Sequence, residues 1–340
     1  MRQLHVIDDL NYGGAQTQLR LLATAAVERG DPVAVASLKR PGAVGGALRA
    51  GGVEVEWLGR RLAFDPFALR RLVRTIRRRR PEALVGWGAA AAPFCRLAKR
   101  ATGVRWLHHP WGQVSPHATL ADDDLSRLPS AIDPAIRPAD GSAKLAMRGW
   151  LRSGGVDVAD DAPVLLTVAR LDRPRAVNEL AWAADVVRVV CPGLRMLVVG
   201  DGPALVACQR FASQATEPGL VTWLGGQADL KPFYAAADVV WVGAGRGVAP
   251  TPALEAMAAG KPLVMAAAAG REALFDTPSL DAGLLPGWSD RAAWARVTRR
   301  LLEERSWAEE IGAANDSRVT AGHSCDEAYA ALTECLAVAS

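Results

Sequence analysis

The residues with the strongest case for chemistry lie between positions 239 and 265. Val239, Val240, Trp241 and Val242 form a short apolar run, and Gly243, Gly245 and Gly247 follow it at once. Such a run suits a buried parallel strand, and the glycines free the backbone directly after it. Pro250 and Pro252 fit a first helical turn, positions 253–259 hold strong helix formers, and Gly260 ends the helix. The unit is strand, glycine loop, helix N-terminus. Its unpaired N–H groups and positive dipole end suit a phosphate or diphosphate, held by the loop at Gly245, Gly247, Val248 and Ala249. Glu255 is expected in the first turn, where it either complements the dipole or reaches past the phosphates to ribose hydroxyls.

Other candidates sit where further strands should end. Gly13 and Gly14 open a helix after a first strand at 4–8, and two glycines let a backbone pass close to a phosphate or a sugar. His108 and His109 close a fifth strand at 104–108; adjacent strand residues point opposite ways, so at most one of the two faces a site, the alternative being a structural histidine at a strand end, and the sequence does not choose. Gly202 lies in Gly200-Asp-Gly-Pro203, after a strand at 195–200. Neither glycine loop follows G-x-G-x-x-G, which argues against a nicotinamide cofactor.

The elements that must position these residues alternate strand and helix twice over. In the first half, strands are expected at 4–8, 32–38, 53–58, 83–87 and 104–108, with helices at 16–28, 45–50, 66–80 and 93–101. The second half repeats the pattern with strands at 164–168, 195–200, 221–225 and 239–242 and helices at 178–190, 204–214, 230–236, 253–259, 292–304, 307–319 and 327–337. This is an α/β chain with helix-covered parallel sheets, whose ligands gather beyond the strands' carboxyl ends. At 340 residues it exceeds what one core usually serves.

Pro252-Ala-Leu-Glu255-Ala-Met-Ala-Ala-Gly260-Lys-Pro-Leu-Val264 resembles the nucleotide-sugar motif of the GT-B glycosyltransferases of the retaining family 4 type. In that motif a first glutamate stands eight positions before the second. Here Glu255 is the second, and Gly247 occupies the place of the first. The segment from Leu128 to Asp133 and the order of landmarks extend the resemblance from about residue 1 to 335.

The resemblance implies two Rossmann-like doubly wound parallel-sheet domains facing a cleft. An acceptor-side domain would cover 1–135, shortened at residues 111–127, and a donor domain 136–320, with a final helix in 321–340 crossing back. It further implies metal-independent transfer of a hexosyl group from a nucleotide diphosphate sugar, with retention, and no cofactor. Arg170 and Arg175 would bind the leaving diphosphate, because a fixed cation stabilises charge that develops as the glycosidic bond breaks. Glu255 would hold the ribose, and Gly13, Gly14 and one histidine would close the site. Two other readings share the architecture: a degenerate member that binds a nucleotide or partner without transfer, favoured by Gly247, and a nucleotide-sugar epimerase.

Charge and composition bound the partners. Residues 1–135 hold 20 Lys and Arg against 12 Asp and Glu, a net +8, and the remainder 20 against 24, a net −4. Arg70, Arg71, Arg74, Arg77, Arg78, Arg79 and Arg80 crowd one helix, over a stripe of Phe67, Leu69, Leu72, Val73 and Ile76 expected to pack. That helix is either a solvated face or a contact for an anionic membrane surface; no nucleic-acid motif accompanies it. Asp122, Asp123 and Asp124 read as a solvated acidic loop and not as a metal site. Five cysteines without C-x-x-C spacing fit buried free thiols in a reducing compartment. With no apolar run long enough to span a bilayer, the expected location is cytoplasmic, on the inner face of the membrane if the basic helix docks there.

Overall fold

The computed structural model describes residues 1–109, 128–172, 174–243, 251–267, 286–287 and 289–338, and of 174–176 and 338 the backbone alone. The chain divides into two compact units, Met1–Ile132 with Gly322–Ser340, and Asp133–Ala321.

The first unit holds β1 (Gln3–Ile7), α1 (Gly14–Glu28), β2 (Val33–Ser37), α2 (Ala43–Ala50), β3 (Glu54–Trp57), α3 (Pro66–Arg79), β4 (Ala83–Trp87), α4 (Gly88–Thr102) and β5 (Arg105–His109). Its sheet is parallel, in the order β3-β2-β1-β4-β5. The central strands β1 and β4 are buried at every position; β4 reads as an unbroken apolar run, whereas β1 carries the buried polar residues Gln3 and His5. Alternation divides the core into two faces. Leu19, Leu22, Val85, Trp87 and Leu107 pack on one side with Tyr329, Leu332 and Leu336 of a late helix. Leu4, Val6, Leu84, Leu72, Ile76 and Phe94 pack on the other, under α3 and α4. Each fully buried Leu or Phe contributes about 2 kcal/mol.

The second unit holds α5 (Gly141–Ser153), β6 (Val164–Val168), α6 (Pro174–Val190), β7 (Arg195–Val199), α7 (Leu205–Ala215), β8 (Val221–Trp223), α8 (Lys231–Ala236), β9 (Val239–Val242), α9 (Thr251–Ala258) and β10 (Leu263–Met265). Two further helices, α10 (Arg291–Glu303) and α11 (Arg305–Thr320), follow, and α12 (Cys325–Val338) returns to the first unit, where it packs on α1. The strand order is β10-β9-β6-β7-β8, all parallel. Read from β8, this is the 3-2-1-4-5 order of the first sheet, a doubly wound arrangement in both units.

Five expectations about elements and packing need correction. Helix α4 starts at Gly88 and carries Pro93 inside it; the proline forgoes one i→i−4 bond without ending the helix. Helix α6 starts at Pro174, so Arg175 belongs to its first turn and not to the preceding loop. Helix α5 has no counterpart in the sequence reading; Asp140 caps it by accepting from the Ala143 N–H at 3.0 Å. Phe67 does not pack: Asp65 caps α3 by accepting from the N–H of Phe67 and Ala68, and Phe67, in the first turn, is 69% exposed. Of the five free cysteines, Cys95, Cys191 and Cys208 are buried, and Cys335 is exposed, against expectation.

Candidate functional site

In the second unit the strand order reverses between β6 and β9, and the candidate residues gather at the carboxyl ends of these strands and of β7. Arg170 lies two residues past β6, in a turn tied down on both sides. The Ala169 N–H donates to the Val199 carbonyl at 3.0 Å, Leu171 N–H to Asp201 at 3.0 Å, and Ala204 N–H to Leu171 at 2.8 Å. This closeness needs glycine. A Cβ at Gly200 (φ +146°) would stand 1.8 Å from the Ala169 oxygen, and one at Gly202 would stand 2.5 Å from the Leu171 oxygen. The Gly-Asp-Gly loop thus buttresses the backbone on either side of Arg170. The Arg170 Nε bonds Asp172 Oδ2 at 2.8 Å, which sets the direction of a side chain that is 41% exposed. The side chain of Arg175 lies outside the described residues, as do Gly245, Gly247, Val248 and Ala249 and the acidic run Asp122, Asp123 and Asp124.

Glu255 is the fifth residue of α9, in the second turn and not the first, and only 4% exposed. The dipole acts within the first turn, so mere dipole complementation does not account for a buried carboxylate there. Tyr234 of α8 accounts for its direction: the phenol donates to Glu255 Oε2 at 2.9 Å. Burial, then the Glu255 charge, holds Tyr234 well above the ordinary phenol range, so it stays a donor. Nothing in the sequence marked Tyr234, because its partner is twenty-one positions away.

The Gly260-Lys261 part of the motif is scaffold. Burial lowers Lys261 to about 8; its Nζ donates to the Ala235 carbonyl at 3.2 Å, and its own carbonyl accepts from Asn315 at 3.0 Å. A Cβ on Gly312 of α11 would come 2.2 Å from the Gly260 oxygen, so only glycine allows α11 to pack here. Beside them Asp238 pairs with Lys144 and with the buried Arg148 (3.0 Å), both on α5, and accepts from the Val164 N–H at 2.8 Å. A lone acid at the start of β9 was the one available signal that cations must come from elsewhere.

In the first unit Gly13 caps α1 in an extended conformation and Gly14 begins it, so the helix starts earlier than expected and points its N-terminus toward the carboxyl end of β1. Gln16 folds back, its amide reaching both the carbonyl and the carboxylate of Asp9 at 3.3 Å, which holds the loop before the helix. The structure separates the two histidines. His109 pairs with Trp87 in register and stacks on that indole, centroids 4.9 Å apart and planes 6° apart, on the face that carries α1. His108 turns to the other face, toward Trp106 at 5.8 Å. Burial, then the neighbouring His108, lowers His109 to about 4, so its ring is neutral at pH 7.

Among the described residues no group of three or more His, Cys, Asp or Glu could hold a metal ion. No described helix is long and apolar enough to cross a membrane.

Two parallel doubly wound five-stranded sheets, one in each unit, match a GT-B architecture. The family model for glycosyl transferases group 1 matches residues 162–304, and that for glycosyltransferase family 4 matches 12–159. The chain belongs to the GT-B glycosyltransferases of this group. It is similar to a lipopolysaccharide core biosynthesis glycosyltransferase, LpsE, of Rhizobium meliloti (strain 1021), 26% identical over 44% of this chain and 43% of that one. It also resembles the D-inositol 3-phosphate glycosyltransferase of Stackebrandtia nassauensis, 30% identical over 63% of this chain and 49% of the relative. The matches thus span about half the length of these curated relatives. Among solved structures, Anabaena HepE in complex with UDP and glucose superposes with a TM-score of 0.79 at 17% identity, covering 99% of both chains.

Proposed function

We propose that this protein transfers a hexosyl group from a nucleotide diphosphate sugar to a glycan, lipid or small-molecule acceptor, with retention at the anomeric carbon and without a metal ion. The observation that carries the reading is Arg170, held at the strand reversal of the second sheet by backbone that only Gly200 and Gly202 can approach. There a guanidinium meets the diphosphate as it leaves, in place of a divalent cation. Glu255, steadied by Tyr234, takes the ribose, and His109 with the Gly13–Gly14 turn serves the sugar and acceptor side. The complexes of HepE with UDP and glucose and with UDP-glucose support a nucleotide sugar donor. The degenerate and epimerase readings are not favoured, since the curated relatives above are named glycosyltransferases.

The test is incubation with a panel of nucleotide sugars, scoring nucleoside diphosphate release and the anomeric configuration of the product by NMR. Inverted product would overturn retention, and an isomerised donor would point to epimerisation. Replacing both Arg170 and Arg175 by alanine is expected to weaken nucleoside diphosphate binding at least tenfold, roughly one charge-assisted hydrogen bond. Unchanged affinity by calorimetry would remove the diphosphate role.

The reading includes an anionic membrane surface met by α3. Arg70, Arg74 and Arg77 are exposed and make no ion pair among the described residues, whereas Arg78 and Arg79 are taken up by Glu56 and Glu54. Leu62 (67% exposed), Phe64 (56%) and Phe67 (69%) stand beside them. Basic side chains near an anionic leaflet contribute about 1 kcal/mol each. The protein should therefore sediment with vesicles containing phosphatidylglycerol and not with pure phosphatidylcholine, and Phe67→Ser with Arg74→Gln should cut the bound fraction about tenfold. Equal sedimentation with both vesicles would reject the membrane.

A further inference from the structure

The first unit contains a buried line of polar side chains for which the proposed transfer reaction gives no role. Asp31 Oδ2 accepts from the Tyr329 hydroxyl at 2.6 Å. The Tyr329 oxygen in turn accepts from Gln3 Nε2 at 3.1 Å. Gln3 Oε1 lies 3.1 Å from His5 Nε2, and His5 Nδ1 lies 3.0 Å from the Trp87 indole nitrogen. Gln3, His5, Trp87 and Tyr329 are each at most 3% exposed.

The direction of every hydrogen in this line follows from its two ends. A carboxylate only accepts and an indole N–H only donates, so the phenol must donate to Asp31 and His5 Nδ1 must accept from Trp87. His5 is wholly buried and held down to about 4, so it carries one ring proton, and that proton is left for Nε2, facing the Gln3 oxygen. One arrangement satisfies all five groups. The indole plane of Trp87 is then fixed from the interior, and His109 rests flat on it. The residues come from β1, β4 and α12 and from the turn before β2, so the register of the first sheet and the docking of α12 meet in one network.

We propose that Tyr329, acting through Gln3, His5 and Trp87, is a positioning residue for the His109 ring, so that the seating of α12 sets the geometry of a histidine at the carboxyl end of β5, on the same face of the sheet. The catalytic consequence rests on the proposed glycosyl transfer; the geometric one does not. Buried, fully satisfied networks of this kind hold one rotamer set, and a small misplacement of a reacting neighbour costs rate more than binding.

The experiment uses the full chain with labelled histidine. In the wild type, the nitrogen spectrum of His5 should report the Nε2-protonated tautomer, and the His109 ring protons should be shifted upfield by the Trp87 ring current. Nδ1 protonation of His5 would overturn the network without any variant. Tyr329→Phe, which deletes only the hydroxyl, should move the His109 ring protons toward their free-histidine positions and lower kcat about tenfold, with the donor KM unchanged. Trp87→Phe keeps an aromatic platform and loses the N–H, and should act in the same direction. If melting temperature falls in either variant while the His109 shifts and kcat stay put, the network serves stability alone and the proposal fails. If the wild type consumes no nucleotide sugar, the proposed function fails instead, and the His109 shifts still decide the positioning.

Discussion

Alanine at position 200 is expected to lower the stability of the second unit by about 3 kcal/mol and to abolish tight nucleoside diphosphate binding. The new Cβ would start 1.8 Å from the Ala169 oxygen at φ +146°, and no rotamer change relieves a clash with backbone. Either β7 or the turn carrying Arg170 must shift. Since that turn is bonded to Val199 and Asp201 on both sides of Arg170, the shift reaches the guanidinium. Gly219→Ala is the control, because its φ of +81° carries the same left-handed strain with nothing within 4 Å of the added atom. It should cost about 1 kcal/mol and leave binding intact. Urea unfolding and calorimetric titration of both variants check the pair, and equal effects would mean that backbone strain, not the close approach, explains the glycine.

Acid is expected to weaken the first unit well before it weakens the second. Burial holds His5 at about 4, and burial with the His108 charge holds His109 at about 4, whereas an unfolded histidine titrates near 6.5. Below 6.5 the unfolded chain takes up protons that the folded unit refuses. The contribution of these rings is therefore complete above pH 6.5, is lost as pH falls toward 4, and changes no further below that. Each ring accounts for at most about 3 kcal/mol, and His109, which is not fully buried, for less. The lowered carboxylates Asp31, Glu54 and Glu56 lose their own contribution only near and below their ordinary range, so the interval from 6.5 to 4.5 belongs to the histidines. All five histidines fall within the first unit's residues, so the second unit's stability should be flat over that interval. Urea unfolding at stepped pH, with each unit followed by hydrogen exchange, measures both. In His5→Gln about half of the first unit's slope should disappear, and an unchanged slope would show that the His5 charge is accommodated.

The amino-acid sequence by itself determined nine of the ten described strands; β10, at Leu263–Met265, was not read from it. Buried parallel strands favour apolar runs, so 83–87, 164–168 and 239–242 were legible to within a residue or two, as was 3–7 from its apolar residues Leu4, Val6 and Ile7. The resemblance to the nucleotide-sugar motif around Glu255 carried the family. Tertiary structure alone decided which groups meet. Pairing joins residues distant in the chain: Tyr234 with Glu255, Asp238 with Lys144 and Arg148, and Tyr329 with Gln3 and Asp31. It also chose His109 over His108 for the face that carries α1, because a one-residue difference in strand end reverses every side chain. Local periodicity records which face of an element is apolar, and holds no record of what another element brings against it.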